Sequence, residues 1–293
     1  MHKAGFVNIV GNPNVGKSTL MNQLVGEKLS IATFKAQTTR HRIMGIVNTE
    51  DTQIVFSDTP GVLKPNYKMQ EMMLQFSESA LADADILLYV TDVVEDPEKN
   101  MDFLEKVSKM SIPVILLINK IDESDQKTLG NLVTKWHGLL PNAEILPISA
   151  KNKFGVDILL KRVHELLPES PAFFDKDQLT DKPANFFVSE IIREKILRYY
   201  DKEIPYSVEV VIERFKEDDR QIHISAIIYV ERSSQKGIII GHQGMALKKV
   251  STEARKSLER FFDKKIFLET FVKVDKDWRN SQKELKHFGY SPE

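Results

Sequence analysis

Across the first half of the chain, short apolar runs alternate with stretches in which apolar residues recur every three or four positions. Runs of the first kind at 5–10, 42–48, 53–57, 86–91, 113–119 and 144–148 predict strands, and the amphipathic stretches between them predict helices. Regular alternation of the two describes an α/β domain, a mostly parallel sheet with helices on both faces. Met69, Met72, Met73, Phe76 and Ala80 fall at helical spacing, and such a stripe is expected to face a core. Around residues 168–184 the periodicity fades into PESPAFFDKDQLTDKPA, with three prolines and three aspartates, so a linker is placed there. The pattern then changes to a helix at about 188–201, strands rich in β-branched residues at 207–216 and 221–231, a loop containing Lys and Gly, a helix at 246–261, a strand at 265–274 and a short final helix. That order describes a smaller α+β module.

Composition adds limits. At 293 residues, with 42% hydrophobic and 28% charged positions, the chain can build two cores of domain size. No run approaches the roughly 18 uncharged apolar residues of a membrane span, and MHKAGFVNIVGNP reaches a glycine before a signal-peptide core can form, so a cytoplasmic protein is expected. The absence of cysteine excludes disulfides, thiolate metal sites and thiol catalysis. The net charge of −1 is unevenly divided: residues 1–183 carry 20 Lys and Arg against 24 Asp and Glu, residues 184–293 carry 21 against 18. A basic second half points weakly to a polyanionic partner, because a solvated mixed-charge surface looks the same.

The strongest chemical signal is Gly11-Asn12-Pro13-Asn14-Val15-Gly16-Lys17-Ser18, followed by Thr19, which satisfies GxxxxGK[ST] between a predicted strand and a predicted helix. In that context glycines let backbone N–H groups turn around phosphates, and the helix adds the positive end of its dipole. Lys17 is expected on the β- and γ-phosphates and Ser18 on Mg²⁺. Asn119-Lys120-Ile121-Asp122 ends the apolar run PVILLIN; there the Asp122 carboxylate can accept the N1 and exocyclic amino hydrogens that guanine offers and adenine does not. Asp58-Thr59-Pro60-Gly61 matches DxxG after QIVFS, which would put Asp58 on Mg²⁺ through water and the Gly61 N–H at the γ-phosphate. Ser149-Ala150-Lys151 is expected to support the base through its backbone. The last two patterns are weak alone and gain their weight from order.

GNPNVGKS, DTPG, NKID and SAK in this order resemble the translation-associated GTPases. The segment Lys35-Ala36-Gln37-Thr38-Thr39-Arg40-His41-Arg42 and a later Gly241-His242-Gln243-Gly244 make the resemblance closer to the bacterial Era family, over essentially the whole chain. That resemblance implies a P-loop GTPase domain at 1–170, a linker at 171–183 and a type II KH RNA-binding domain at 184–293. It implies GTP and GDP as ligands, with Thr39, or Thr38, closing on Mg²⁺ beside Ser18 and Asp58. Val62 stands where other GTPases place a water-orienting glutamine. In Era-like proteins that replacement goes with a P-loop asparagine and potassium, so Asn14 is expected to hold K⁺ and to serve catalysis with Lys17, Thr39 and Gly61. In the second module Gly241–Gly244, with Lys236, Ile240, Lys248 and Lys249, is expected to receive the backbone of single-stranded RNA. The function implied is GTP-dependent assembly of the small ribosomal subunit at the 3′ end of its rRNA, with no DNA partner. The alternative is a peripheral membrane signalling switch, disfavoured by the lack of a polybasic cluster or lipidation motif.

Overall fold

The computed structural model describes residues 2–291. These divide into two compact units, residues 2–66 with 70–181, and residues 67–69 with 182–291.

The first unit is built on a six-stranded sheet. Its elements are β1 (Lys3–Gly11), α1 (Lys17–Val25), β2 (Ile43–Asn48), β3 (Thr52–Asp58), α2 (Lys68–Ala82), β4 (Ile86–Asp92), α3 (Met101–Ser108), β5 (Val114–Asn119), α4 (Gln126–Leu139), β6 (Glu144–Pro147) and α5 (Val156–Leu166). The strand order is β2-β3-β1-β4-β5-β6, with only the β2–β3 pair antiparallel. β4 is buried at every position, as a strand covered on both faces must be. Met69, Met73, Phe76 and Ala80 of the α2 stripe are buried, while Met72 lies at the margin.

The order has a functional consequence. β1 lies between β3 and β4, so the connections leaving β1 and β3 open a crevice at the carboxyl ends of the strands. Register brings those ends level, with Ile9 opposite Asp58, Gly11 opposite Val90 and Asp92 opposite Asn119. A Cβ at Gly11 would lie 2.1 Å from Val90 O, so close strand approach demands glycine there.

Residues 168–181, expected as part of a linker, are instead fastened to the first unit. Phe173 packs on Phe6 with ring centroids 4.9 Å apart. The buried Gln53 accepts the N–H groups of Phe173 and Phe174 at 2.7 and 3.0 Å and donates to Phe174 O at 2.8 Å. Ile46 N–H donates to Leu179 O, Thr180 Oγ1 to Met44 O and Met44 N–H to Asp181 Oδ1 at 2.6–2.8 Å, so this strap covers the exposed edge of β2. Prolines break periodicity without freeing the chain, because its polar backbone finds partners across the sheet edge.

The second unit comprises α6 (Ala184–Tyr199), α7 (Ile204–Ser207), β7 (Glu209–Glu217), β8 (Gln221–Val230), α8 (Ser233–Ile240), α9 (Met245–Phe262), β9 (Lys265–Val274) and α10 (Gln282–His287). β8 pairs antiparallel with β7 and parallel with β9. The helix pair α8–α9 makes the crossover that a parallel pair requires. Ile192, Ile196, Ile224, Ile228, Ile239 and Leu258 belong to the core that joins α6, α8 and α9 to the sheet. The sequence pattern expected a loop containing Lys and Gly there, with a buried helical turn only at 238–240, whereas α8 runs from Ser233 to Ile240. Among the described residues no helix is long and apolar enough to cross a membrane.

Candidate functional site

The loop after β1 has a backbone that few sequences accept. Asn14 takes φ 67° and Gly16 φ 98°, and a Cβ at Gly16 would lie 2.2 Å from Asn119 Nδ2. α1 starts at Lys17, whose ammonium curls back to donate to Gly11 O at 2.9 Å and Asn12 O at 2.8 Å. Burial lowers the Lys17 pKa to about 8, partly offset by the negative charges of Asp58 and Glu95.

Beside it lies a cluster of oxygens. Ser18 Oγ is 2.7 Å from Asp58 Oδ2 and 2.7 Å from Thr39 Oγ1, and Thr39 Oγ1 is 3.3 Å from Asp58 Oδ2. Thr38 points elsewhere, bonding Thr33 Oγ1 at 2.7 Å and Lys35 O at 2.6 Å, so the structure brings Thr39 and not Thr38 to the cluster. Asp58 is fully buried, which raises its pKa, while the Lys17 charge and the hydrogen bonds from Ser18 and Thr39 oppose the shift. Its Oδ1 has no hydrogen-bond partner among the described residues. A buried carboxylate oxygen left without a partner among hydroxyls, beside a buried ammonium, fits a hard divalent cation such as Mg²⁺ and a phosphate.

Residues far apart in sequence complete a cavity of about 420 Å³, lined by Lys17 and Ser18, by Thr39 and Gly61, and by Asn119, Lys120, Asp122 and Lys151. Asn119 acts as a tie: its Nδ2 donates to Val15 O at 2.8 Å, and its Oδ1 accepts the Ala150 N–H at 2.9 Å. Asp122, exposed toward the cavity, accepts from Ser149 Oγ at 2.5 Å. Lys120, at φ 61°, reaches Asp92 Oδ2 at 2.5 Å. Sequence reasoning missed Asp92. Its signal was available: ILLYVTD ends on a carboxylate as QIVFSD does. Gly61 sits against Pro13, which a Cβ would meet at 2.7 Å, and Val62 is buried with its N–H on Gly11 O at 3.1 Å.

In the second unit Gly241 (φ 71°) and Gly244 (φ 74°) frame an exposed turn at His242 and Gln243, between α8 and α9. A Cβ on Gly241 would strike Ala246 Cβ at 2.6 Å, whereas one on Gly244 meets nothing within 4 Å. Below the turn, Tyr200 Oη donates to Ile239 O at 2.6 Å and anchors the last turn of α8; burial pushes the Tyr200 pKa up to about 12. Of the apolar run before the turn only Ile239 is fully buried, with Ile240 half-buried and Ile238 exposed. Lys248 is exposed, Lys236 is half-buried, and Lys249 holds its ammonium 4.6 Å from the centre of the Tyr199 ring.

Comparison with known proteins accounts for both units. Residues 6–120 match the family described as 50S ribosome-binding GTPase, and residues 203–279 match the KH domain. GTPase Era of Clostridium kluyveri is 44% identical over 99% of this chain and 100% of its own. GTPase Era of Geobacter sp. (strain M21) is 46% identical over 98% of both chains. Among solved structures, Era in complex with MgGDPNP and nucleotides 1506–1542 of 16S ribosomal RNA superposes with a TM-score of 0.95 at 37% identity over the full length of both chains. An Aquifex aeolicus Era variant bound to GDP and aluminium fluoride gives 0.94 at 37% identity, over 99% of this chain and 100% of that one. With the P-loop, the guanine-side loops and the framed glycine turn all in place on matching folds, this chain belongs to the GTPase Era family.

Proposed function

We propose that the protein hydrolyses GTP as a molecular switch and binds single-stranded rRNA near the 3′ end of the small-subunit RNA, assisting assembly of that subunit in the cytoplasm. The observation that carries the nucleotide part is the orphaned, buried Asp58 Oδ1 beside Ser18, Thr39 and Lys17. Mg²⁺ held by Ser18 and Thr39, with Asp58 behind it, would neutralise phosphate charge. Lys17 exchanges its two backbone acceptors for phosphate oxygens. The Gly61 N–H meets the terminal phosphate, and Asp122, aimed by Ser149, accepts the guanine hydrogens.

The RNA part is supported by the relative solved with 16S RNA and by the open space at Gly244, where phosphates can approach. Lys236, Ile240, His242, Gln243, Lys248 and Lys249 are the residues we assign to that contact. Val62 is buried and apolar and cannot orient water. Asn14 lines the cavity, which supports our assignment of a potassium site to it, where the ion's charge would act as an arginine does in other GTPases. Turnover is then slow in Na⁺ and faster in K⁺ at equal ionic strength, and Asn14→Ala removes the difference with nucleotide affinity nearly unchanged; equal wild-type rates refute the potassium role. For the whole reading, the test is crosslinking of the full-length protein to total cellular RNA, with sequencing, alongside Mg²⁺-dependent binding of a non-hydrolysable GTP analogue. Fragments scattered over unrelated RNAs, or no guanine-nucleotide binding, would overturn it.

A further inference from the structure

Asn100 stands at the N-cap of α3, where an Asn side chain ordinarily accepts a hydrogen bond from its own helix, and it makes no such bond. The N–H groups of Phe103 and Leu104 are taken by its backbone carbonyl instead. Its side chain serves another purpose: Nδ2 donates to Asn12 Oδ1 in the P-loop and to Val62 O at 3.2 Å. One amide thus joins the phosphate loop to the segment following Asp58.

The partners fix its direction. Val62 O can only accept, so Asn100 must present its N–H groups. Asn12, 3% exposed, accepts from Asn100 through Oδ1 and lies close enough to Glu95 to favour that residue's charged form. Glu95 in turn accepts from Thr91 Oγ1 at 3.0 Å, and its own N–H is held by Asp92 Oδ1 at 2.8 Å. A polar link therefore runs from Val62 through Asn100 to Asn12, beside the Glu95 group that Thr91 and Asp92 hold at the end of β4, and the Asn100 amide orientation follows from its acceptors. Other bonds hold the same segment from different sides: Thr59 Oγ1 to Ile9 O and Ser77 Oγ to Pro60 O, both at 2.8 Å.

We propose that Asn100 is a positioning residue of the nucleotide switch. It latches Gly61–Val62 against the P-loop in the same arrangement in which Thr39 lies on Ser18 and Asp58, and so favours the triphosphate-bound state over the diphosphate-bound one. This rests on the GTPase reading above.

The test is Asn100→Asp in the full-length protein. Aspartate is as good an N-cap as asparagine but has no N–H to offer Val62 O or Asn12 Oδ1. Equilibrium binding of GDPNP and of GDP is measured with Mg²⁺ present. The expected result is a loss of about tenfold in GDPNP affinity, from buried acceptors left without a donor, with GDP affinity held within about twofold. Turnover falls with it. A residue that only capped α3 would leave Asn100→Asp unchanged, so a wild-type GDPNP-to-GDP ratio overturns the proposal. Should that variant not fold, Asn12→Ala removes the same link from the other end, and an unchanged ratio there is equally fatal. If the wild-type protein bound neither nucleotide, the GTPase reading itself would fail, and the two failures are distinguishable.

Discussion

Lys17 is buried to 6% exposure, with the carbonyls of Gly11 and Asn12 as its hydrogen-bond partners among the described residues, so the free protein holds its charge against a desolvation penalty, partly offset by Asp58 and Glu95, that lowers the pKa to about 8. A bound polyphosphate stabilises the protonated form and raises that pKa again. Between about pH 8 and the pKa of the bound state, binding must therefore take up a proton, and GDP affinity is expected to fall as pH rises, by up to about tenfold per unit. Calorimetry in buffers of different ionisation enthalpy reads the proton uptake directly; its absence at pH 8.5–9 would mean that Lys17 does not meet phosphate. Asp122 offers a second test. An amide there donates to the 2-carbonyl of xanthine but can accept only one of the two guanine hydrogens and meets the other donor to donor, so Asp122→Asn is expected to weaken GTP by about fiftyfold, on the order of 2–3 kcal/mol, and to strengthen xanthosine triphosphate binding. Competition binding of the two triphosphates decides it.

At the scale of elements, the two glycines of the RNA turn are not equivalent. A side chain at Gly241 collides with Ala246 inside the fold, whereas one at Gly244 enters open space, and both positions need φ above 70°. Gly244→Asp is therefore the cleaner variant: it places bulk and negative charge where the proposed RNA phosphates would approach, without a clash inside the fold. RNA affinity is expected to drop at least about tenfold with GTP affinity unchanged, as read by RNA titration and nucleotide binding on the same preparation. Full RNA binding would reduce the glycine pair to an ordinary turn. The helix preceding that turn was hard to read, because SSQKGIII combines a glycine with a β-branched run of poor helix propensity. Core contacts of Ile239 and the Tyr200 hydroxyl on its carbonyl override that local preference.

For the whole molecule, a γ-phosphate sensor and an RNA module on one chain make a switch only if each biases the other. The strap provides a covalent route. Thr39 lies in the loop that leads into β2, and Met44 of β2 holds Thr180 and Asp181 just before α6 begins at Ala184. Linkage then demands reciprocity: whatever factor the GTP analogue adds to RNA affinity, RNA adds to affinity for the analogue, about 5–150-fold for typical coupling. RNA titrations with GDP, with the analogue and without nucleotide are expected to differ, and Thr180→Val with Asp181→Ala should reduce the difference; identical curves in the wild type would leave two independent domains on one chain. Sequence alone determined which loops carry the candidate chemistry, since GxxxxGK[ST], NKxD, DxxG and the glycine turn are contiguous patterns legible without knowing their distant partners. It also determined the centre of the sheet, where β4 and β5 are near-continuous apolar runs that can only be interior. Tertiary structure decided what depends on residues meeting across the fold: Thr39 over Thr38, Asp92 on Lys120, Asn119 tying Val15 to Ala150, and the strap bonded to Gln53 and Met44. Those pairings join positions whose separation in sequence carries no periodic signal, and only packing the sheet brings their polar groups within hydrogen-bond reach.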